Sequence, residues 1–115
     1  MAASPALPTP EFAIEVDGKP AETTVRCSGR LTAAHTEQLL ATVRPHIATS
    51  ESVVIDLRNL SYMDSSGLGS MVRLWAASRQ AKKKMKFINL NQRLKDLFTL
   101  TNLSTVFEGV EHGGM

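Results

Sequence analysis

The stretch 52–76 constrains this chain more than any other, because it sets a strand, a tight turn and a helix in immediate succession. Ser52-Val53-Val54-Ile55-Asp56-Leu57 contains three consecutive branched apolar residues, which leave little room for a wet face and predict a short, mostly buried strand. The polar, glycine-containing run Tyr62-Met63-Asp64-Ser65-Ser66-Gly67-Leu68-Gly69 then reads as a turn. Beyond it, Leu68, Met71, Val72, Trp75 and Ala76 recur at helical spacing, a stripe that should bury against a sheet. Asp64 or Ser65 supplies a side-chain oxygen for the first-turn amides, and Gly67 and Gly69 permit close approach of the backbone. Ser65 therefore stands at the mouth of a helix N-terminus.

The flanking segments repeat the alternation of strand and helix. Phe12, Ile14 and Val16 alternate with polar or small residues, Asp17-Gly18 offers a turn, and Thr24-Val25-Arg26-Cys27 resumes the pattern, so the chain opens with a hairpin. Leu39, Leu40, Val43 and Ile47 place a helix over 36–47, with Thr32 as its upstream cap and a kink or tightening expected at Pro45. Met85 to Leu90 is the next strand. Asn91 caps a short helix bearing Leu94, Leu97 and Phe98 on one face, and Thr105-Val106-Phe107 supplies a last brief strand. Parallel neighbours need a connection as long as a helix, so this order predicts an α/β fold: a mixed sheet of four to five strands with helices packed against it.

With 115 residues, 43% of them hydrophobic, there is material for one core, and the expected division is an N-terminal tail over 1–11, one folded domain over 12–108 and a flexible tail over 109–115. Met1 to Pro10 has neither a basic start nor a continuous apolar core and does not read as a signal peptide. Since no apolar run approaches the ~20 residues that cross a bilayer, membrane association would have to come through a partner, and a cytoplasmic location is expected. The lone Cys27 falls in a strand-like alternation and reads as a small buried hydrophobe. A net charge of +2 with 5% aromatic residues gives neither the basic face nor the stacking platform of a nucleic-acid binder. Lys82-Lys83-Lys84 falls where the long helix should end, and is read as a solvated cap on its carbonyl end.

An enzyme fits the residues poorly. A serine nucleophile elbow wants glycine two positions either side of the serine, whereas Ser65 follows Met63. His35, His46 and His112 sit in no context that assigns a catalytic base, and with one cysteine they give no zinc spacing. No phosphate loop of the GxxxxGK[ST] type is present. Neither a metal nor any other cofactor is expected.

The string Asp64-Ser65-Ser66-Gly67-Leu68-Gly69 after a buried strand resembles the signature of STAS domains, the sulphate transporter and anti-sigma factor antagonist family. Gly29-Arg30-Leu31 resembles the turn after that family's second strand, Val53 to Leu57 its third strand, and Leu94 to Phe98 the helix after its fourth. Bacterial single-domain members with serine directly after the motif aspartate resemble anti-sigma factor antagonists. The resemblance implies a protein that binds an anti-sigma factor serine kinase when unphosphorylated, releasing the sigma factor. Phosphorylation at Ser65 switches it off, and a metal-dependent serine phosphatase restores it, with ATP and magnesium belonging to the kinase. Asp64, Ser65, Ser66, Gly67 and Leu68 are the first expected partner contacts, and Gly29, Arg30, Leu31, Thr32 and His35 the second. The chain departs from the pattern at Thr32, where many antagonists carry aspartate. A monomer or weak dimer is expected, with an apolar surface around Leu68 and Met71 open to a partner or a second copy.

Spacing alone favours a plainer role for Asp64 and Ser65 as a good helix start, and the switch reading draws its strength from the strand, turn and helix context together. The alternative is a non-switching STAS interaction module of a lipid-transporter ATPase or a stress-signalling complex, which would use the same face.

Overall fold

The computed structural model describes residues 11–100. Strand β1 (Phe12–Asp17) and strand β2 (Glu22–Leu31) form the opening hairpin, with Ile14 opposite Cys27 and Val16 opposite Val25. Strand β3 (Ser52–Met63) runs parallel to β2, and strand β4 (Lys84–Ile88) parallel to β3, giving the order β1-β2-β3-β4. Each parallel step is spanned by a helix, α1 (Thr36–Thr49) before β3 and α2 (Ser65–Gln80) before β4, and α3 (Gln92–Leu100) follows. The described residues thus form one α/β domain with a four-stranded mixed sheet and three helices, as the alternation of patterns implies.

Period-two burial decides which face the helices cover. Val25 and Cys27 on β2, Val53, Ile55 and Leu57 on β3, and Met85 and Phe87 on β4 all point into the core, where Leu39, Leu40, Val43 and Ile47 of α1 meet Leu68, Met71 and Leu74 of α2. On the hairpin the same row fades outward from buried Phe12 through half-buried Ile14 to exposed Val16. Thr23 and Ser50 are buried polar residues; their hydroxyls bond to each other, and Ser50 Oγ donates to the Lys19 carbonyl oxygen, tying the hairpin end to the α1–β3 junction.

Several local expectations are corrected. β3 does not stop at Leu57 but continues through Arg58 and Asn59 to Met63, so Tyr62 and Met63 are strand residues. Gly29-Arg30-Leu31 is likewise the end of β2 and not a turn, because Arg30 and Leu31 remain paired with Tyr62 and Met63. Register shifts between Arg26 and Ser28 and between Gly29 and Arg30 let the pairing continue while breaking the clean alternation. Gly29 sits at φ 92°, and a Cβ there would run into the Glu11 carbonyl, whose oxygen accepts the Arg30 N–H at 2.7 Å.

On α2 the buried stripe is Gly67, Leu68, Ser70, Met71, Leu74 and Ser78, while Ala76 is exposed. The two serines are accommodated because their hydroxyls donate back to Gly67 and Trp75 carbonyls at 2.6 and 2.7 Å. Leu68 and Met71 are buried, 4% and 0% exposed, so the surface expected around them is occupied by this chain's own core. Gly69, expected to allow close approach, faces open space.

Thr32 does not cap α1: it precedes a 3-10 turn (Ala33–His35) and its side chain makes no capping bond. Helix α1 runs four residues past Pro45 to Thr49, whose hydroxyl donates to the Pro45 carbonyl at 3.2 Å. The lysine run caps a different helix from the one expected. Lys83 Nζ donates to the Ser50 and Ala48 carbonyls at 3.0 and 3.4 Å, at the end of α1. The strand expected at Thr105–Phe107, and all of the expected tails except Glu11, lie outside the described residues.

Candidate functional site

The site is built where β2 and β3 end together and α2 begins. Leu31 and Met63 are the last paired residues, and the Asp64 N–H donates to the Leu31 carbonyl at 3.2 Å, fixing the aspartate against β2. Of the two capping candidates, Asp64 takes the role: it is extended at φ −93°, and its Oδ1 accepts the Gly67 N–H at 2.8 Å. Its Oδ2 accepts the Ala33 N–H at 3.3 Å, so one carboxylate orients both α2 and the turn leading into α1. Gly67 is required by space, because a Cβ would lie 2.8 Å from the Leu31 oxygen and from Met63 Cγ.

This leaves Ser65 and Ser66 exposed on the first turn of α2, and among the described residues the Ser65 hydroxyl has no hydrogen-bond partner. Leu31, Gly67 and Leu68 are buried and shape this face from beneath. Arg30 is exposed and its guanidinium lies 4.3 Å from the centre of the Tyr62 ring. Gly29 and Thr32 are half-buried beside it. His35 stands on the other flank, with its Nε2 2.7 Å from Glu11 Oε1 and its ring stacked on Phe12 at 5.5 Å between centroids. Asp64, Ser65, Ser66, Arg30, Thr32 and His35 therefore surround the α2 start on one end of the sheet, with surface available on each.

Residues of α3 line the same face: Leu97, which belongs to the apolar pattern of the helix, and Arg93 and Asp96, which no sequence pattern singles out. A cavity of about 650 Å³ opens beside Ser65, lined by Tyr62, Met63, Asp64, Ser65, Arg93, Asp96 and Leu97. Asn91 positions α3: its Oδ1 caps Leu94 N–H at 2.9 Å and its Nδ2 donates to the Leu60 carbonyl at 3.2 Å. Leu94 and Phe98 then enter the core, which turns the adjacent stripe Arg93, Asp96 and Leu97 towards the cavity. That stripe has i, i+3, i+4 spacing, so the signal was available once α3 was placed at this end.

The chemistry open to such a face is recognition and modification of an exposed hydroxyl. Among the described residues no group of three metal-ligating side chains converges, and no helix is long and apolar enough to cross a membrane. Cys27 lies within the sheet, 1% exposed; burial, with the Asp56 carboxylate adding to it, pushes its thiol up to about 12.

Comparison with known proteins gives consistent matches. The family model described as "Mlab, STAS domain" matches residues 14–109. The anti-sigma-B factor antagonist of Staphylococcus epidermidis is 32% identical over 93 residues, covering 76% of this chain and 84% of that protein. That of Listeria monocytogenes is 43% identical over 54 residues, so the match spans about half the length of this relative, 47%. The solved structure of the anti-sigma factor antagonist SpoIIAA in its unphosphorylated form superposes with a TM-score of 0.73 at 18% identity, over 88% of this chain and 90% of that one, a likeness of fold.

Proposed function

Since the chain belongs to the STAS domain family, we propose that it is an anti-sigma factor antagonist that works by partner switching. The unmodified protein binds an anti-sigma factor that is also a serine kinase, and the sigma factor is released. Transfer of the γ-phosphoryl group from the kinase's ATP to Ser65 Oγ breaks the bond to ADP, forms the new P–O bond and hands the hydroxyl proton to a base of the kinase. A serine phosphatase reverses the modification. The protein itself turns nothing over, and a cytoplasmic location follows from its partners.

The observation that carries this reading is the Ser65 hydroxyl, exposed and, among the described residues, without a hydrogen-bond partner, on a turn that Asp64 ties to Gly67 and Ala33. A phosphate there adds about −1.5 to −2 of charge beside the Asp64 carboxylate, so a partner packed over the turn must desolvate both. Taking such a charge out of water costs several kcal/mol, which corresponds to a loss of affinity of roughly a hundredfold or more without unfolding. The contact face comprises Asp64, Ser65, Ser66, Arg30, Thr32 and His35, with Gly29, Leu31, Gly67 and Leu68 setting its shape.

The test is affinity capture from the native host, read by mass spectrometry for partners and phosphosites together. A kinase-type anti-sigma factor on the unmodified protein, with phosphate on Ser65 in the unbound pool, is the expected result. In binding assays Ser65→Asp should weaken that complex and Ser65→Ala should preserve it; equal affinities for both would remove Ser65 from the interface. The alternative is a non-switching STAS interaction module of a lipid-transporter ATPase or a stress-signalling complex, which would use the same face. A transporter ATPase captured with Ser65 unmodified across growth and stress conditions would establish that reading instead.

A further inference from the structure

We propose that Arg93 is the internal receptor for the phosphate on Ser65, so that modification draws α3 onto the start of α2 and closes the cavity between them. The inference rests on the phosphorylation reading above and assigns a role to a residue outside the signature turn. Ser65 and Arg93 line the same cavity of about 650 Å³ from two different helices.

The charges on that wall single out one group. Asp64 and Asp96 bring carboxylates, and Arg93 brings the lining's guanidinium. Asp64 is engaged by the Gly67 and Ala33 amides, and Asp96 Oδ1 accepts the Gln92 side-chain amide at 2.8 Å. Arg30, the neighbouring cation on β2, is laid over the Tyr62 ring. Arg93 alone is uncommitted: it is exposed and, among the described residues, makes no ion pair or ring contact. A dianionic group added to two carboxylates requires a counter-charge, and a planar guanidinium pairs with phosphate through two parallel hydrogen bonds.

The position of Arg93 on α3 points the same way. It occupies the first turn of Gln92–Leu100, where a cation opposes the helix dipole. The stability of α3 in the unmodified protein therefore gives no reason for an arginine there. A phosphate between the two helix starts would neutralise that cation and bridge α2 to α3.

The test places phosphoserine at position 65 of the full chain by genetic encoding, independent of any kinase, and follows the phosphate by phosphorus NMR as pH is varied. Free phosphoserine loses its second proton near pH 6, and a paired arginine holds the dianion to lower pH. Besides Arg93, the groups facing it are Asp64 and Tyr62 from the β3–α2 junction, Asp96 from α3, and Arg30 behind Tyr62. The wild-type midpoint should lie below that of Arg93→Gln by roughly half a pH unit or more. Arg93→Lys should recover part of the difference, and hydrogen exchange in α3 should slow on modification in the wild type only. Identical midpoints in wild type and Arg93→Gln would overturn the proposal, as would an α3 whose exchange ignores the phosphate. Because the phosphate is installed directly, a native kinase that leaves Ser65 unmodified would sink the switching reading without altering this titration.

Discussion

Asp64 Oδ1 accepts the Gly67 backbone N–H at 2.8 Å, and this single bond fixes the first turn of α2 directly beneath the exposed serines. The same carboxylate reaches Ala33, so its loss is felt on both sides of the site. Asp64→Ala should destabilise the fold by about 1–2 kcal/mol, the upper part of the range for helix caps. Asp64→Asn should lose less, since the amide oxygen still accepts one of the two bonds. Urea unfolding followed by circular dichroism measures both.

Gly67 and Gly69, three and five residues after Asp64, should respond oppositely to the same change. Gly67→Ala drives a methyl group into the Leu31 carbonyl and Met63, and should cost roughly 1–3 kcal/mol. Gly69→Ala meets nothing within 4 Å and should stabilise α2 by about 0.5–1 kcal/mol. Thermal melts of the two variants side by side give the comparison, and a destabilised Gly69→Ala would contradict the open space beside it.

Cys27 provides a pH dependence with a definite sign. Its thiol holds its proton to about 12 in the folded chain, against 9.0 for the ordinary group. The folded state therefore keeps a proton that the unfolded state releases, and this contribution is intact below pH 9 and lost as pH rises towards 12. The stability difference between wild type and Cys27→Ala should shrink by roughly 1 kcal/mol per pH unit above pH 9. Denaturant titrations at pH 8 and pH 10 test it, and alkylation at pH 8 should be slow until denaturant is added.

Lys83 should stand apart from its two neighbours. Lys83→Ala removes the donor to the Ser50 and Ala48 carbonyls and should cost roughly 0.5–1.5 kcal/mol. Lys82→Ala and Lys84→Ala, both at exposed positions, should fall within about 0.5 kcal/mol of wild type. Three equal effects would mean that the run acts only through its summed charge.

The parts of the fold written in periodic patterns were legible from residues alone. The hairpin, the buried Val53–Leu57 segment, the α1 stripe and the Asn91 cap all follow from spacing, because each satisfies its own local rule. What escaped was set by distant neighbours. β3 crosses Arg58 and Asn59 because β2 remains alongside it, and no local propensity signals that pairing. The position of Lys83 suggests the nearest helix, but its partners lie 33 and 35 residues away in the chain. For the site, the Asp64-to-Gly67 start was plain, whereas Arg93 and Asp96 became visible only once α3 was placed against Leu60 and Met63.

β3 outruns β4: its last pair with β4 is Asp56 with Ile88, so from Leu57 to Met63 its outer side lacks a strand neighbour among the described residues. Such a rim is where a second molecule's backbone would ordinarily add and propagate into aggregates. Asn91 occupies the Leu60 carbonyl at the middle of that rim and, through its other amide atom, begins the helix that walls it off. The asparagine is in this sense a guard on solubility: without it and α3, the segment that displays Ser65 would also be a template for self-assembly.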